Sequence, residues 1–365
     1  MKNFLIYFTP LLFIFAWWIC AFTEYSDTAS RQVLPVTQKA PFHSEVTPID
    51  RDKLFRALNG DFDLMTRLIV EWDLEAQILE EKGYPGIRRL EREKILALLR
   101  DDSRNEKGTS ESFFPQTYLS AGILLALIDE TKITSLPRGI RNQNHIYASQ
   151  KLQNITYNAD PRSLETIGNG DHTLAFISPY SQPCTIQVME QRGIPMVDLG
   201  SVTTEADLKQ AIVTVGQNVH TESKAFILSS FIDATLFALD NHLATRKNRD
   251  SEILYVNHHT TFSAPNQKTL TGNFLKRLKI NETLFEKQND DWGIPLEIED
   301  IVALDPDCII FSGDSNSLQP LNSLSELQAA KNGQVYFVDQ ATQETQSQHC
   351  LLGYYDLYDI LMRLP

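Results

Sequence analysis

The chain has 365 residues, 42% of them hydrophobic and 22% charged, which is enough apolar sequence for two packed cores and excludes a wholly disordered polymer. Its formal charge is −14 and no Lys/Arg cluster stands out, so a nucleic-acid partner is excluded on electrostatic grounds.

The amino end reads as an export signal. Lys2 supplies the positive start, Phe4 to Ala21 is a continuous apolar run, and Glu24 opens the polar chain. The run is also long enough to span a bilayer as an uncleaved anchor, so residues 1–22 are assigned as signal peptide or membrane anchor. Cys20 follows Trp17, Trp18 and Ile19 rather than the small residues a lipidation site needs. Both readings place the body of the protein in the periplasm or otherwise outside the cytoplasmic membrane, where disulfides are permitted. Of the remaining cysteines, Cys308 in the run DCIIF reads as a buried small hydrophobe, and Cys184 with Cys350 is the one pairing open to consideration.

Residues 23–50 are rich in Ser, Thr, Pro and Gln without periodicity and read as a linker. Residues 51–109 change to helix formers with breaks at Asn59-Gly60 and Gly83–Gly86. Two or three amphipathic helices are expected, with Leu64, Leu68, Trp72, Leu79, Leu90, Leu98 and Leu99 facing a neighbour. They serve either as packing on the first lobe or as a docking element or lid.

From residue 110 short apolar runs alternate with helical stretches: SFF, KITSLP, NITYN, HTLAFIS and IPMVDLG read as strands, with helices at PQTYLSAGILLALIDE and QPCTIQVMEQRG. A run without Gly or Pro, from about His220 to Asn248, reads as one long helix with Thr221 at its start and Arg246 and Lys247 at its end. It is either a spine between two lobes or a long core helix of a single domain. After it, SEILYVN, CIIFSG and QVYFVDQ read as strands, KTLTGNFLKRL and SLSELQAA as helices, and a last helix closes the chain from His349 to Met362. The expected fold class is α/β. Two Rossmann-like lobes with mostly parallel sheets, residues 110–218 and 250–365, are joined by the helix 219–249, with the N-terminal helical segment as an insertion.

Four segments in order resemble one family. SPYSQPCTIQVMEQRGIPMVDLG resembles the strand, aromatic loop, helix and strand of the periplasmic solute-binding proteins of the helical-spine class, which serve ABC importers for ferric siderophores, haem and cobalamin. HTESKAFI resembles the start of that family's connecting helix. IEDIVALDPDCIIFSG and AAKNGQVYFVD resemble two of its C-terminal segments. The resemblance runs from about residue 112 to the C-terminus. It departs where the family often carries Gly-Gly-Asn and this chain reads LKINETLF, and residues 51–107 match no part of the family's pattern.

The resemblance implies a monomeric, non-enzymatic binding protein with no intrinsic cofactor. A ferric chelate, haem or cobalamin would be its transported ligand and an ABC transporter permease its membrane partner. Ligands of open α/β sheets sit beyond the carboxyl ends of strands, and this rule selects the candidate contacts. They are Phe114, Pro115, Gln116 and Tyr118; Ser178, Pro179, Tyr180 and Ser181; Asn257 to Thr261; Ser312, Gly313 and Asp314; and Gln348 and His349. Tyr118, Tyr180, Ser181, His258, His259, Asp314 and His349 are the strongest. Tyrosine offers a flat apolar face with an orienting hydroxyl, and imidazole can ligate iron or hydrogen-bond a chelate.

The alternative is a metal-dependent two-lobed enzyme using His258, His259, Asp314 and His349. Nothing else catalytic competes: no Gly-x-Ser-x-Gly, His-Glu-x-x-His or Cys-x-x-Cys occurs, and Asp305-Pro306-Asp307 reads as a turn before a strand.

Overall fold

The structure, a computed structural model, describes residues 46–100, 111–155, 158–159, 173–246, 251–258, 261–285, 293–313 and 322–365. The expected export segment and most of the linker lie outside these residues.

A three-stranded parallel sheet in the order β1-β4-β5 forms the centre of the first lobe, from β1 (Phe113–Pro115), β4 (Leu174–Ile177) and β5 (Met196–Asp198). Beside it, β2 (Leu136–Pro137) and β3 (Asn158–Ala159) make a short parallel pair. The second lobe is built on a five-stranded sheet in the order β10-β9-β6-β7-β8. Its parallel part is β6 (Ile253–His258), β9 (Cys308–Ser312) and β10 (Val335–Val338). Ile253 to Val256 and all of β9 are buried, as expected of central parallel strands covered on both faces. The antiparallel part was not foreseen: β7 (Phe262–Pro265) folds back on β6 as a hairpin and pairs with β8 (Gly293–Leu296). Its sequence, FSAP, is short and ends in Pro, which hides it from a pattern search.

The long helix is present as Glu222–Ala244. Ala225, Leu228, Phe231, Ile232, Leu236 and Leu239 are buried along one face and Ile227, Ala234 and Ala238 beside it, so most of its circumference is covered. Only a half-buried strip through Phe226, Ser229, Asp233, Phe237 and Asp240 remains, as befits a helix inside a protein rather than on its surface. It packs against three other helices, Phe62–Glu81, Glu205–Asn218 and Cys350–Arg363. Glu205–Asn218 had not been recognised in the sequence, although Thr204 and Asp207 form a capping box and Leu208, Ala211, Ile212 and Val215 follow at helical spacing. Close approach to the spine requires Gly216, where a Cβ would come within 2.3 Å of the Ala225 Cβ.

Residues 51–100 form three helices, Arg51–Leu58, Phe62–Glu81 and Arg92–Arg100. They are part of the core. Trp72 stacks on Phe231 of the spine with ring centres 5.5 Å apart, and the Asn241 amide brackets the backbone of Arg88 with two 2.8 Å hydrogen bonds. Buried His242 bridges Tyr358 of the last helix and Glu75 at 2.9 and 3.0 Å. Arg51 pairs with Asp356 at 2.8 Å. These contacts exclude the lid alternative for this segment. Leu64, Leu68, Trp72, Leu79 and Leu98 are buried as expected, whereas Leu99, about 100° further round the same helix than Leu98, is 57% exposed.

Cys308 is buried, as expected of a small hydrophobe. Cys184 is exposed and Cys350 buried at the start of the last helix, and both are free thiols, so the considered disulfide does not form.

Candidate functional site

A cavity of about 920 Å³ lies between the lobes at the carboxyl ends of strands from both sheets. From the first lobe, Gln116 and Tyr118 follow β1, Arg138 and Gly139 follow β2, and Tyr180 follows β4. From the second, Gly313 follows β9, and Asp339, Gln340 and Glu344 follow β10.

Each side chain is placed by local structure. Gln116 is fixed by its backbone N–H, which donates to the Phe176 carbonyl at 3.1 Å. Thr117 then caps the helix Tyr118–Leu127 in a reciprocal pair with Ser120, so Tyr118 stands on its first turn. The Tyr118 hydroxyl reaches the Gly139 backbone; burial raises its pKa, and that backbone contact opposes the rise. A Cβ on Gly139 would fall 2.0 Å from the same oxygen, so the glycine makes room for the phenol.

Tyr180 is 49% exposed on a tight loop. The Ser178 N–H donates to Ser181 Oγ at 3.0 Å, the Ser181 N–H returns to the Ser178 carbonyl at 2.8 Å, and the Tyr180 N–H donates to Ser178 Oγ at 3.3 Å. Ser181 is therefore buried and committed to holding the loop, which leaves Tyr180 facing the cavity.

In the second lobe Asp339 caps the helix Gln340–Glu344. It accepts from the Thr342 N–H at 2.8 Å and the Thr342 hydroxyl at 2.7 Å, and pairs with His145 Nε2 at 2.8 Å. Burial pushes its pKa up, but the Thr342 bonds and His145 together hold it below the usual carboxylate value. It is an anion at neutral pH.

The remaining sequence candidates separate. His258 ends β6 with its ring 4.7 Å from that of Phe262, the first member of an aromatic run through Phe311 to Phe337, and it does not line the cavity. His259 and Asp314 lie outside the described residues. His349 is fully buried, with Nδ1 3.1 Å from Ser347 Oγ and its ring 4.6 Å from that of Tyr147; burial lowers its pKa to about 3. Gln348 is equally buried, donating to the carbonyls of Leu58 and Gly122. Both stitch the lobes together inside the body, so the strand-end rule assigns them wrongly to the cleft wall. Among the described residues no cluster of His, Cys, Asp or Glu could hold a metal ion.

Arg138, Gly139, Gln143, Asp339 and Glu344 were missed. Asp339 was discoverable, because it directly follows the strand VYFV that the same rule should have covered.

Residues 117–342 match the sequence model of the periplasmic binding protein family, and the chain belongs to that family. It is a binding protein that works outside the cytoplasm, not an enzyme. No curated protein matches by sequence. Among solved structures, the heme-binding protein RhuT from Roseiflexus sp. RS-1 in apo form is 14% identical with a TM-score of 0.58, over 70% of this chain and 98% of that one. The vitamin B12 binding protein BtuF of Vibrio cholerae is 15% identical with a TM-score of 0.54, over 69% and 96%. A possible iron-binding protein from Staphylococcus epidermidis is 14% identical with a TM-score of 0.57, over 68% and 98%. They share the fold.

Proposed function

We propose that this protein captures an iron chelate, haem or cobalamin in the cleft between its lobes and presents it to the permease of an ABC importer. It acts as a monomer, delivered or tethered by its N-terminal apolar segment. The observation that carries the reading is the 920 Å³ cavity with wall residues from both sheets and two tyrosines, Tyr118 and Tyr180, on its first-lobe side. A space of that size suits a small chelate or macrocycle, and aromatic rings supply flat apolar contact. Structural relatives that bind heme and vitamin B12 support the same class of cargo.

The test is a visible-absorption titration of the purified protein with ferrioxamine, cyanocobalamin and haemin. Saturable one-to-one binding of one of them is expected, weakened about tenfold by Tyr180→Ala. Absence of binding to all three, and to ferric citrate as well, would sink the reading.

A further inference from the structure

The cavity wall also carries information about the chemistry of the cargo. Gln116 is 7% exposed, and neither its Nε2 nor its Oε1 has a hydrogen-bond partner among the described residues. A carboxamide holds two donors and an acceptor, and burying it without partners is costly, so the position favours a group in the cavity that completes both. A group offering an adjacent donor and acceptor does so reciprocally. A carboxylate can satisfy only the amide N–H and would place its charge beside the amide oxygen.

The charges on the wall point the same way. Among the described wall residues the charged ones are Arg138, Asp339 and Glu344, one cation against two anions. Asp339 is held ionised by its bonds to Thr342 and His145. The whole chain carries −14, so a polyanion approaching the cleft meets repulsion at long range as well as in contact. The rings of Tyr118 and Tyr180 favour a cation or an apolar surface over an anion.

We infer that the cargo is an uncharged or cationic chelate bearing amide-type groups, carboxamide or hydroxamate, and that Gln116 pairs with one of those groups and selects for them. This rests on the cleft-capture reading. It separates amide-bearing cargo from carboxylate-bearing macrocycles and from polyanionic citrate or catecholate chelates.

The intact exported protein is titrated, by absorption and intrinsic fluorescence, with ferrioxamine B as the hydroxamate, cyanocobalamin as the carboxamide, and haemin and ferric citrate as the carboxylates. One of the first two is expected to bind at least tenfold more tightly than either carboxylate, which also tells hydroxamate from carboxamide. Gln116→Leu should lose at least tenfold in affinity for that probe with unchanged or raised Tm, because a side chain with only a structural role would lower it. Gln116→Glu should weaken the same probe. Tightest binding of haemin or ferric citrate would overturn the inference and leave capture standing, as would a Gln116→Leu protein that binds like wild type. Failure of all four probes would overturn both.

Discussion

His145 Nε2 stands 2.8 Å from Asp339 Oδ1, so a first-lobe loop is fastened to the residue that follows β10, beside the mouth of the cavity. Their side chains are 43% and 50% exposed, which limits the pair to about 1 kcal/mol or less. His145→Ala should therefore leave Tm nearly unchanged while raising the cargo off-rate by up to about fivefold, measured by stopped-flow displacement. The folded pKa of Asp339 is depressed. Its contribution is present in full above the ordinary carboxylate range and disappears as pH falls through the lower folded value, so acid should erase the difference between wild type and Asp339→Asn.

His349 should make stability sensitive to mild acid. Its folded pKa is about 3 because burial disfavours the charged ring, with Lys151 adding repulsion. The unfolded chain takes up a proton near pH ~6.5. Stability is complete above that value and falls towards pH 3, by up to about 1.4 kcal/mol per pH unit. Urea melts between pH 7 and 4.5 should show this loss, and His349→Gln should flatten it. An identical slope in the variant would assign the effect to another group.

The N-terminal helices should be inseparable from the rest. Trp72→Ala removes a ring stacked on Phe231 of the spine and should cost about 3–5 kcal/mol in chemical denaturation, in a single transition. A variant that loses only a separate early transition would show the segment to be an independent unit.

Gly139→Ala tests the placement of Tyr118. The added methyl would collide with the phenol oxygen, the movable end of a side chain, so the fold should survive while Tyr118 is displaced. Loss of its contact should reduce cargo affinity by about 0.5–1.5 kcal/mol in the absorption titration. Full affinity would remove Tyr118 from the site.

A continuous spine also opposes wide closure, since a helix of 23 residues has no hinge of its own. Small-angle scattering with and without cargo should differ little, and a large compaction would contradict this.

By itself, the sequence determined the class of fold and most of its elements in order, the helix Glu205–Asn218 and the antiparallel strands β7 and β8 excepted. Apolar runs such as ILYV and CIIF, the unbroken stretch beyond Thr221 and the breaks at Gly83 and Gly86 express the local period of strand, helix and turn, which needs no distant partner. Tyr118 and Tyr180 were legible because the strand-end rule depends only on finding the strand. Tertiary structure decided which polar side chains near those ends face the cavity. Ser181 turns inward because Ser178 offers it a backbone partner, and His349 because Tyr147 and Ser347 enclose it. Asp339 faces outward because Thr342 and His145 hold its carboxylate. The fusion of residues 51–100 with the spine was equally hidden. An amphipathic helix records that it has an apolar face, but the surface that covers that face, here Phe231 and its neighbours, lies more than a hundred residues away in the chain.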